Sequence, residues 1–220
     1  MNKIVLVTGA SRGIGLEVAK LFSKEGYKVI GTSRGDFNLG DLIGDSSAMS
    51  VQLDLMSKES INDLFEVLKS KDILPSVLIN NAGIFPPKQR FTLDGFEMQF
   101  GVNHLSHFLL TNLLMDCLEK TAPSRVITVS SMLHKKGEIA FDSFRGYEKY
   151  NSSVAYNNSK LCNVLFALEL ASRKLGSGVT SNVLHPGAVS TDIVRDLPWV
   201  VRKIIGMMSV SYTHLRAHET

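Results

Sequence analysis

A doubly wound parallel α/β sheet is the fold class that this sequence of 220 residues predicts. Three observations carry it. Short apolar runs of strand type alternate with longer amphipathic runs along most of the chain. The first two of these runs are joined by a glycine-rich turn. No repeat, low-complexity linker or shift in composition marks a second domain. Alternation of this kind implies parallel strands whose helical connections cover both faces of the sheet. The length suits one such domain with a sizeable core.

The first strand is Ile4–Thr8, in Lys3-Ile-Val-Leu-Val-Thr8. It turns abruptly into Gly9-Ala-Ser-Arg-Gly13-Ile-Gly15 and then into an amphipathic stretch from Leu16 to Glu25, closed by Gly26. Leu16, Ala19 and Leu21/Phe22 recur at helical spacing, so Gly13–Glu25 reads as a helix with those residues inward. Further strands are expected at Lys28–Thr32, Ser50–Leu53, Val77–Asn80, Arg125–Ser130 and Thr180–Leu184. Helices are expected at Ser57–Lys69, Gly95–Leu118 and Ser153–Leu175, with a shorter one near Pro198–Met207. The span from Arg34 to Met49 is broken by Gly35, Gly40 and Gly44 and predicts a loop or a single helical turn.

Composition narrows the function. Hydrophobic content of 44% and charged content of 20% are ordinary for a soluble globular protein. A net charge of +3, evenly spread and without interleaved aromatics, gives no footprint for nucleic acid. The first strand starts at Lys3, which leaves no room for a secretory signal or anchor, and a cytoplasmic protein without a transmembrane segment is expected. The apolar segment from Leu197 to Met208 is too short to span a bilayer. It is long enough for peripheral membrane contact or for capping a lipophilic pocket. Cys117 and Cys162 fall in apolar helical patterns and read as reduced, buried thiols without metal spacing. His104 and His107 share a helix without a third ligand, which favours packing or surface roles over metal binding.

Tyr156 and Lys160 lie four residues apart at the start of a helical run, so both project from one face. A phenol with a pKa near 10 is a weak acid or base at neutral pH, and an adjacent ammonium favours its ionised form. The pair therefore suits proton transfer, although the same spacing also occurs between ordinary surface residues. The glycine turn adds a second chemistry. Glycines allow the backbone close to a pyrophosphate, and a helix N-terminus offers unpaired N–H donors.

Taken together, the motifs resemble the short-chain dehydrogenase/reductase family in order and over most of the chain. Thr8-Gly9-Ala-Ser-Arg-Gly13-Ile-Gly15 is similar to the family's cofactor glycine motif, and Asn80-Asn81-Ala82-Gly83 to its strand-four motif. Asn103 falls at the helical asparagine, Ser131 follows Val-Ile-Thr-Val-Ser at strand five, and Tyr156 and Lys160 come next. Pro186-Gly187-Ala-Val-Ser-Thr191 resembles the cofactor-closing loop after strand six. The phrases from Gly101 to Thr111 and from Ser159 to Phe166 resemble most the retinol-dehydrogenase-like branch, which acts on retinoids and other lipophilic alcohols and carbonyls.

The resemblance implies a Rossmann-like fold and a nicotinamide cofactor lying across the carboxyl ends of the strands. Gly9, Ser11, Arg12, Gly13, Ile14 and Gly15 would meet the pyrophosphate end, and Asn80 through Gly83, including Asn81 and Ala82, would flank the adenosine ribose. Asp54 and Leu55 would lie by the adenine, although Asp54 equally suits a turn or helix start. Pro186, Gly187, Val189 and Thr191 would fix the carboxamide. NAD-specific relatives carry a carboxylate at the end of strand two; here Thr32-Ser33-Arg34 has none. Arg34, with Arg12, therefore favours NADP(H) over NAD(H).

In the implied reaction Ser131 polarises the carbonyl oxygen, Tyr156 moves the proton, Lys160 lowers the phenol's pKa and holds the ribose, and Asn103 anchors a water relay. Ser130 is the alternative to Ser131. The loop from Met132 to Ser152, with Phe141, Phe144, Tyr147 and Tyr150, would line the substrate pocket, or its rings would pack on one another. A helix after Thr191 would close the pocket. The partner is then a small lipophilic alcohol or carbonyl compound, with room for a homo-oligomer. Two other readings share the fold: a catalytically weak dinucleotide-binding regulator or scaffold, and a non-redox lyase or epimerase.

The segment from Val210 to Thr220 follows no family pattern and reads like a translated sequencing adapter. The expected organisation is a single domain over 1–209 with a non-native tail over 210–220, six strands, and a seventh missing through C-terminal truncation.

Overall fold

A computed structural model of the chain describes residues 3–187. Val189, Thr191, the expected helix at Pro198–Met207 and the tail from Val210 onward lie outside the described residues. Among the described residues, six strands form one parallel sheet: β1 (Ile4–Val7), β2 (Lys28–Ser33), β3 (Met49–Gln52), β4 (Val77–Asn80), β5 (Ser124–Val129) and β6 (Val179–Leu184). Their spatial order is β3-β2-β1-β4-β5-β6. The chain winds outward from β1 in one direction and then from β4 in the other, which opens a crevice where the order reverses. The fold is thus the doubly wound, Rossmann-like sheet that the alternation of runs predicts.

Alternation along each strand builds two cores. Leu6, Ile30, Leu78 and Val126 face one side, with Ile61, Leu64 and Leu68 of α3 (Lys58–Ser70) and Leu110 and Leu118 of the later helices. Val5, Val7, Val29, Val77 and Ile79 face the other, against Ala19 of α1 (Gly13–Lys24) and Leu39 of α2 (Leu39–Ile43). Strand residues i and i+2 share a face, so strands buried on both sides must be apolar throughout. Truncation of Leu6 or Leu78, each fully buried, would cost about 2–5 kcal/mol.

Side-chain caps mark the starts of several helices. Ser57 accepts the Ser60 N–H at 3.2 Å ahead of α3. Asn38 caps α2, a helix of little more than one turn within the glycine-broken span. Asn151 accepts the N–H groups of Ser153 and Val154 and starts α7 (Ser152–Arg173).

The long helix expected over Gly95–Leu118 is instead segmented. It comprises α4 (Met98–Phe100), a π-helical turn (Gly101–Leu105), α5 (Ser106–Leu113) and α6 (Met115–Lys120). Side-chain donors take over carbonyls in the π turn: the Asn103 carbonyl accepts from His107 and Asn163. Leu114, at φ −88° and ψ 0°, marks the second break. Periodicity counts apolar residues and is blind to such exchanges.

Candidate active site

The crevice at the reversal of strand order holds a cavity of about 460 Å³, within the range of small-molecule sites. Gly9, Ser11, Arg12, Gly13, Ile14 and Gly15 line its floor, Arg34, Asp54 and Leu55 one end, and Asn81, Ala82 and Gly83 its wall. The cradle is shaped by missing side chains. Gly9 sits at φ +70°, and a Cβ there would meet the Ala82 Cβ at 3.0 Å. A Cβ on Gly15 would collide with the Gly9 carbonyl oxygen and lie 2.6 Å from Asn81 Nδ2. Arg12, the N-cap of α1, makes no side-chain capping bond, and no acidic residue occupies the first turn. The cavity is thus faced by a helix N-terminus, whose partial positive charge suits an anion. These features fit a dinucleotide pyrophosphate.

Asn80 is a correction. Expected beside the ribose, it is 1% exposed, does not line the cavity, and donates to Thr111 Oγ1 at 3.0 Å. It ends β4 with its side chain on the core side, so the wall begins at Asn81. Asn81 Nδ2 donates to the Thr8 carbonyl at 2.8 Å, knitting that wall to the glycine turn. Asp54 lines the cavity and also makes a turn, accepting the Met56 N–H at 3.0 Å.

The polar side chains of α7 meet the end of β5. Tyr156 is 9% exposed with Ser131 near enough to pull its phenol pKa down, while Lys160 is 2% exposed with its Nζ 5.6 Å from the Tyr156 ring centroid. Lys160 donates to the Val129 carbonyl at 3.1 Å. Ser130, the alternative serine, is turned inward and donates to the Lys160 carbonyl at 2.8 Å. Phe85 joins the two regions: it lines the cavity and meets Tyr156 edge to face, with centroids 4.8 Å apart. Sequence reasoning missed Phe85, whose signal was an aromatic two residues after the Asn81-Ala82-Gly83 wall.

Electrostatics overturns one expectation. Burial pushes the Tyr156 phenol up to about 12, with the Ser131 hydrogen bond pulling the other way. Burial outweighs Lys160, so the phenol is raised rather than lowered. Burial instead drives the Lys160 ammonium down to about 8. At neutral pH the site therefore holds a neutral phenol beside a largely protonated amine.

Asn103 joins the cavity wall to α7. Its Oδ1 accepts the Ile84 N–H at 2.8 Å, and its Nδ2 donates to the Ile84 carbonyl and Ser159 Oγ at 3.1 Å each. Both ends of the amide and the backbone carbonyl are engaged with protein, so Asn103 clamps the cavity wall to α7.

Among the loop aromatics, Phe144 stacks on Phe100 at 4.0 Å, Phe141 packs on Phe144 and Tyr147 on Tyr150. None of the four lines the cavity; they pack on one another and on α4. His104 is a packing residue among Phe100, Phe108 and Phe166. Cys162 is buried, Cys117 is half-buried, and both are free thiols. Pro186 and Gly187 follow β6, with Gly187 at φ +78°. No group of three potential metal ligands occurs, and no helix is long and apolar enough to cross a membrane, among the described residues.

A glycine cradle at the reversal of a doubly wound sheet, beside a serine, tyrosine and lysine cluster, defines the class of NAD(P)-dependent oxidoreductases acting on CH–OH and C=O groups. The comparisons give the family. Residues 3–199 match the family model for short chain dehydrogenase, and the chain belongs to that family. Retinol dehydrogenase 14 of Mus musculus is 41% identical over 230 residues, covering 96% of this chain and 69% of its own length. Retinol dehydrogenase 11 of Homo sapiens is 43% identical over 202 residues, covering 88% and 63%. A crystal structure of an uncharacterized protein from Mycobacterium Paratuberculosis superposes with a TM-score of 0.75 at 36% identity, over 94% of this chain and 76% of that one. The Pseudomonas aeruginosa RhlG/NADP active-site complex gives 0.72 at 25% identity, over 88% and 75%.

Proposed function

We infer that the protein exchanges a hydride between NADP(H) and the alcohol or carbonyl group of a lipophilic small molecule. The observation that carries this reading is the Ser131–Tyr156–Lys160 cluster next to the glycine cradle. When bound, the nicotinamide supplies or accepts the hydride; the chain's own residues handle position and protons. Ser131, in hydrogen-bonding reach of the phenol, orients a substrate oxygen toward it. Tyr156, neutral and buried, donates its proton to that oxygen on reduction and reclaims it on oxidation. Lys160 keeps positive charge near the phenol and offers donors to a ribose hydroxyl. Phe85 excludes water from the tyrosine and gives the substrate an apolar wall.

NADP(H) is favoured by Arg12 and Arg34, which both line the cavity where β2 ends without a carboxylate. A guanidinium presents paired donors to a phosphate, whereas a carboxylate would repel it. The RhlG neighbour was solved with NADP, in keeping with this choice. Lipophilic substrates are supported by the names of the retinol dehydrogenase relatives. A cytoplasmic compartment is supported by the two free thiols.

A scaffold without turnover is disfavoured by Ser131 and Tyr156 standing together beside Lys160, because cofactor retention alone needs no such set. The test compares wild type with Tyr156→Phe. Fluorescence titration is expected to give similar NADPH affinities, while oxidation of NADPH with retinoid, steroid and short aldehydes falls by about 100-fold or more in the variant. Equal turnover in the two proteins would remove Tyr156 from the mechanism.

A further inference from the structure

We propose that His107 is a positioning residue that ties together the two anchor points of the cavity-wall loop 80–84 and thereby sets the affinity for the dinucleotide. The effect on affinity rests on the cofactor reading above; the effect on the loop does not. His107 lies on α5 with 1% exposure and does not line the cavity.

The first anchor is Thr8. Its Oγ1 accepts the N–H groups of Asn81 at 2.9 Å and Ala82 at 3.0 Å, which occupies both lone pairs. The second anchor is Asn103, whose side chain holds both the N–H and the carbonyl of Ile84. His107 spans the two, with Nε2 2.9 Å from Thr8 Oγ1 and Nδ1 3.2 Å from the Asn103 carbonyl.

These contacts fix the direction of every proton. A carbonyl only accepts, so Nδ1 carries the hydrogen. Burial holds the imidazole neutral, with its pKa lowered to about 3. Nε2 is therefore bare and accepts the Thr8 hydroxyl hydrogen, which leaves the hydroxyl's lone pairs for the two loop amides. Among the described residues, the other acceptor recorded for that hydroxyl is the Ile79 carbonyl at 3.3 Å. The ring thus selects one orientation of Thr8 and links it to Asn103. Asn81, Ala82 and Ile84, the residues so held, all line the cavity.

Two measurements test this. Amide hydrogen exchange on cofactor-free protein reads the loop directly. His107→Leu is expected to speed exchange at Asn81, Ala82 and Ile84 by about tenfold, the scale of one lost hydrogen bond, with the strands of the sheet unchanged. NADPH titration then reads the consequence. His107→Leu and Thr8→Val should each weaken binding by about tenfold, and the double variant should be no weaker than either, because both break one network. His107→Gln retains an acceptor for Thr8 and should recover most of the affinity. Unchanged exchange at the three amides, or additive losses in the double variant, would overturn the proposal. Wild-type protein that binds neither NADPH nor NADH would sink the cofactor reading alone, and the exchange result would still decide the role of His107. Should His107→Leu not fold, His107→Gln and Thr8→Val carry the same comparison.

Discussion

Replacing Lys160 by methionine should make the cofactor-free protein more stable while abolishing turnover. The side chain is 2% exposed, and among the described residues its ammonium has a single acceptor, the Val129 carbonyl at 3.1 Å. Burial lowers its pKa from 10.5 to about 8. At about 1.4 kcal/mol per unit, that shift represents roughly 3 kcal/mol spent on keeping the amine charged at neutral pH. Loss of the hydrogen bond returns about 1 kcal/mol, which leaves a net gain near 2 kcal/mol, or about 4–8 °C in Tm for a chain of this size.

The sign follows from proton linkage. Below pH 8 the folded and unfolded states both hold the proton and the wild type bears the whole penalty. Between 8 and 10.5 the folded state has released it and the unfolded state has not, so wild-type stability rises with pH relative to the variant. Above 10.5 the difference closes. The raised Tyr156 pKa acts on both proteins and cancels in the comparison. Urea or thermal unfolding of the two proteins across that range is the assay. A variant that is no more stable at neutral pH, or a gap that persists above 10.5, would show that the buried amine is not the source of the cost.

Other outcomes follow from the same geometry. His107, held near 3 against 6.5 when unfolded, is neutral in the fold; its contribution is untouched above 6.5 and becomes a penalty of about 1.4 kcal/mol per pH unit as pH falls toward 3. Acid unfolding should therefore be shallower in His107→Leu, with His104, also lowered by burial, still acting in the wild-type direction. Gly15→Ala places a methyl against the Gly9 carbonyl and Asn81, and should weaken dinucleotide binding by about tenfold or more, measured by NADPH fluorescence. Arg34→Glu puts a carboxylate on the cavity wall and should shift the ratio of NADPH to NADH affinities toward NADH by about tenfold or more. An unchanged ratio would remove Arg34 from phosphate selection.

Legibility in the sequence tracked locality. The glycine turn could be read because Gly9 and Gly15 answer to sterics within one βα unit, and the sheet because strand runs and caps are short-range signals. Asn80 and Asn81 are adjacent letters with opposite fates, decided by which side of the last strand residue each faces. Nothing local distinguishes them. The break of the long helix at Gly101–Leu105 depends on Asn163, some sixty positions away, donating to the Asn103 carbonyl. The phenol's acidity was misjudged for a related reason. Spacing brings a lysine to the same helix face, but the burial that dominates both pKa values comes from the whole surround. The loop aromatics pack on α4 because Phe100 offers a flat partner, a pairing that composition does not reveal.

The two cysteines give the molecule a built-in chemical clock. Cys162, two positions beyond Lys160 on α7, is 7% exposed, and its thiol is pushed up to about 11, so almost none of it is nucleophilic thiolate near neutrality. Cys117, half-buried on α6, is also raised by burial but is the more exposed of the two. An alkylating reagent should tag Cys117 first and reach Cys162 only when α7 lifts from the sheet, so the lag between the two labels times the opening of the helix that bears Tyr156.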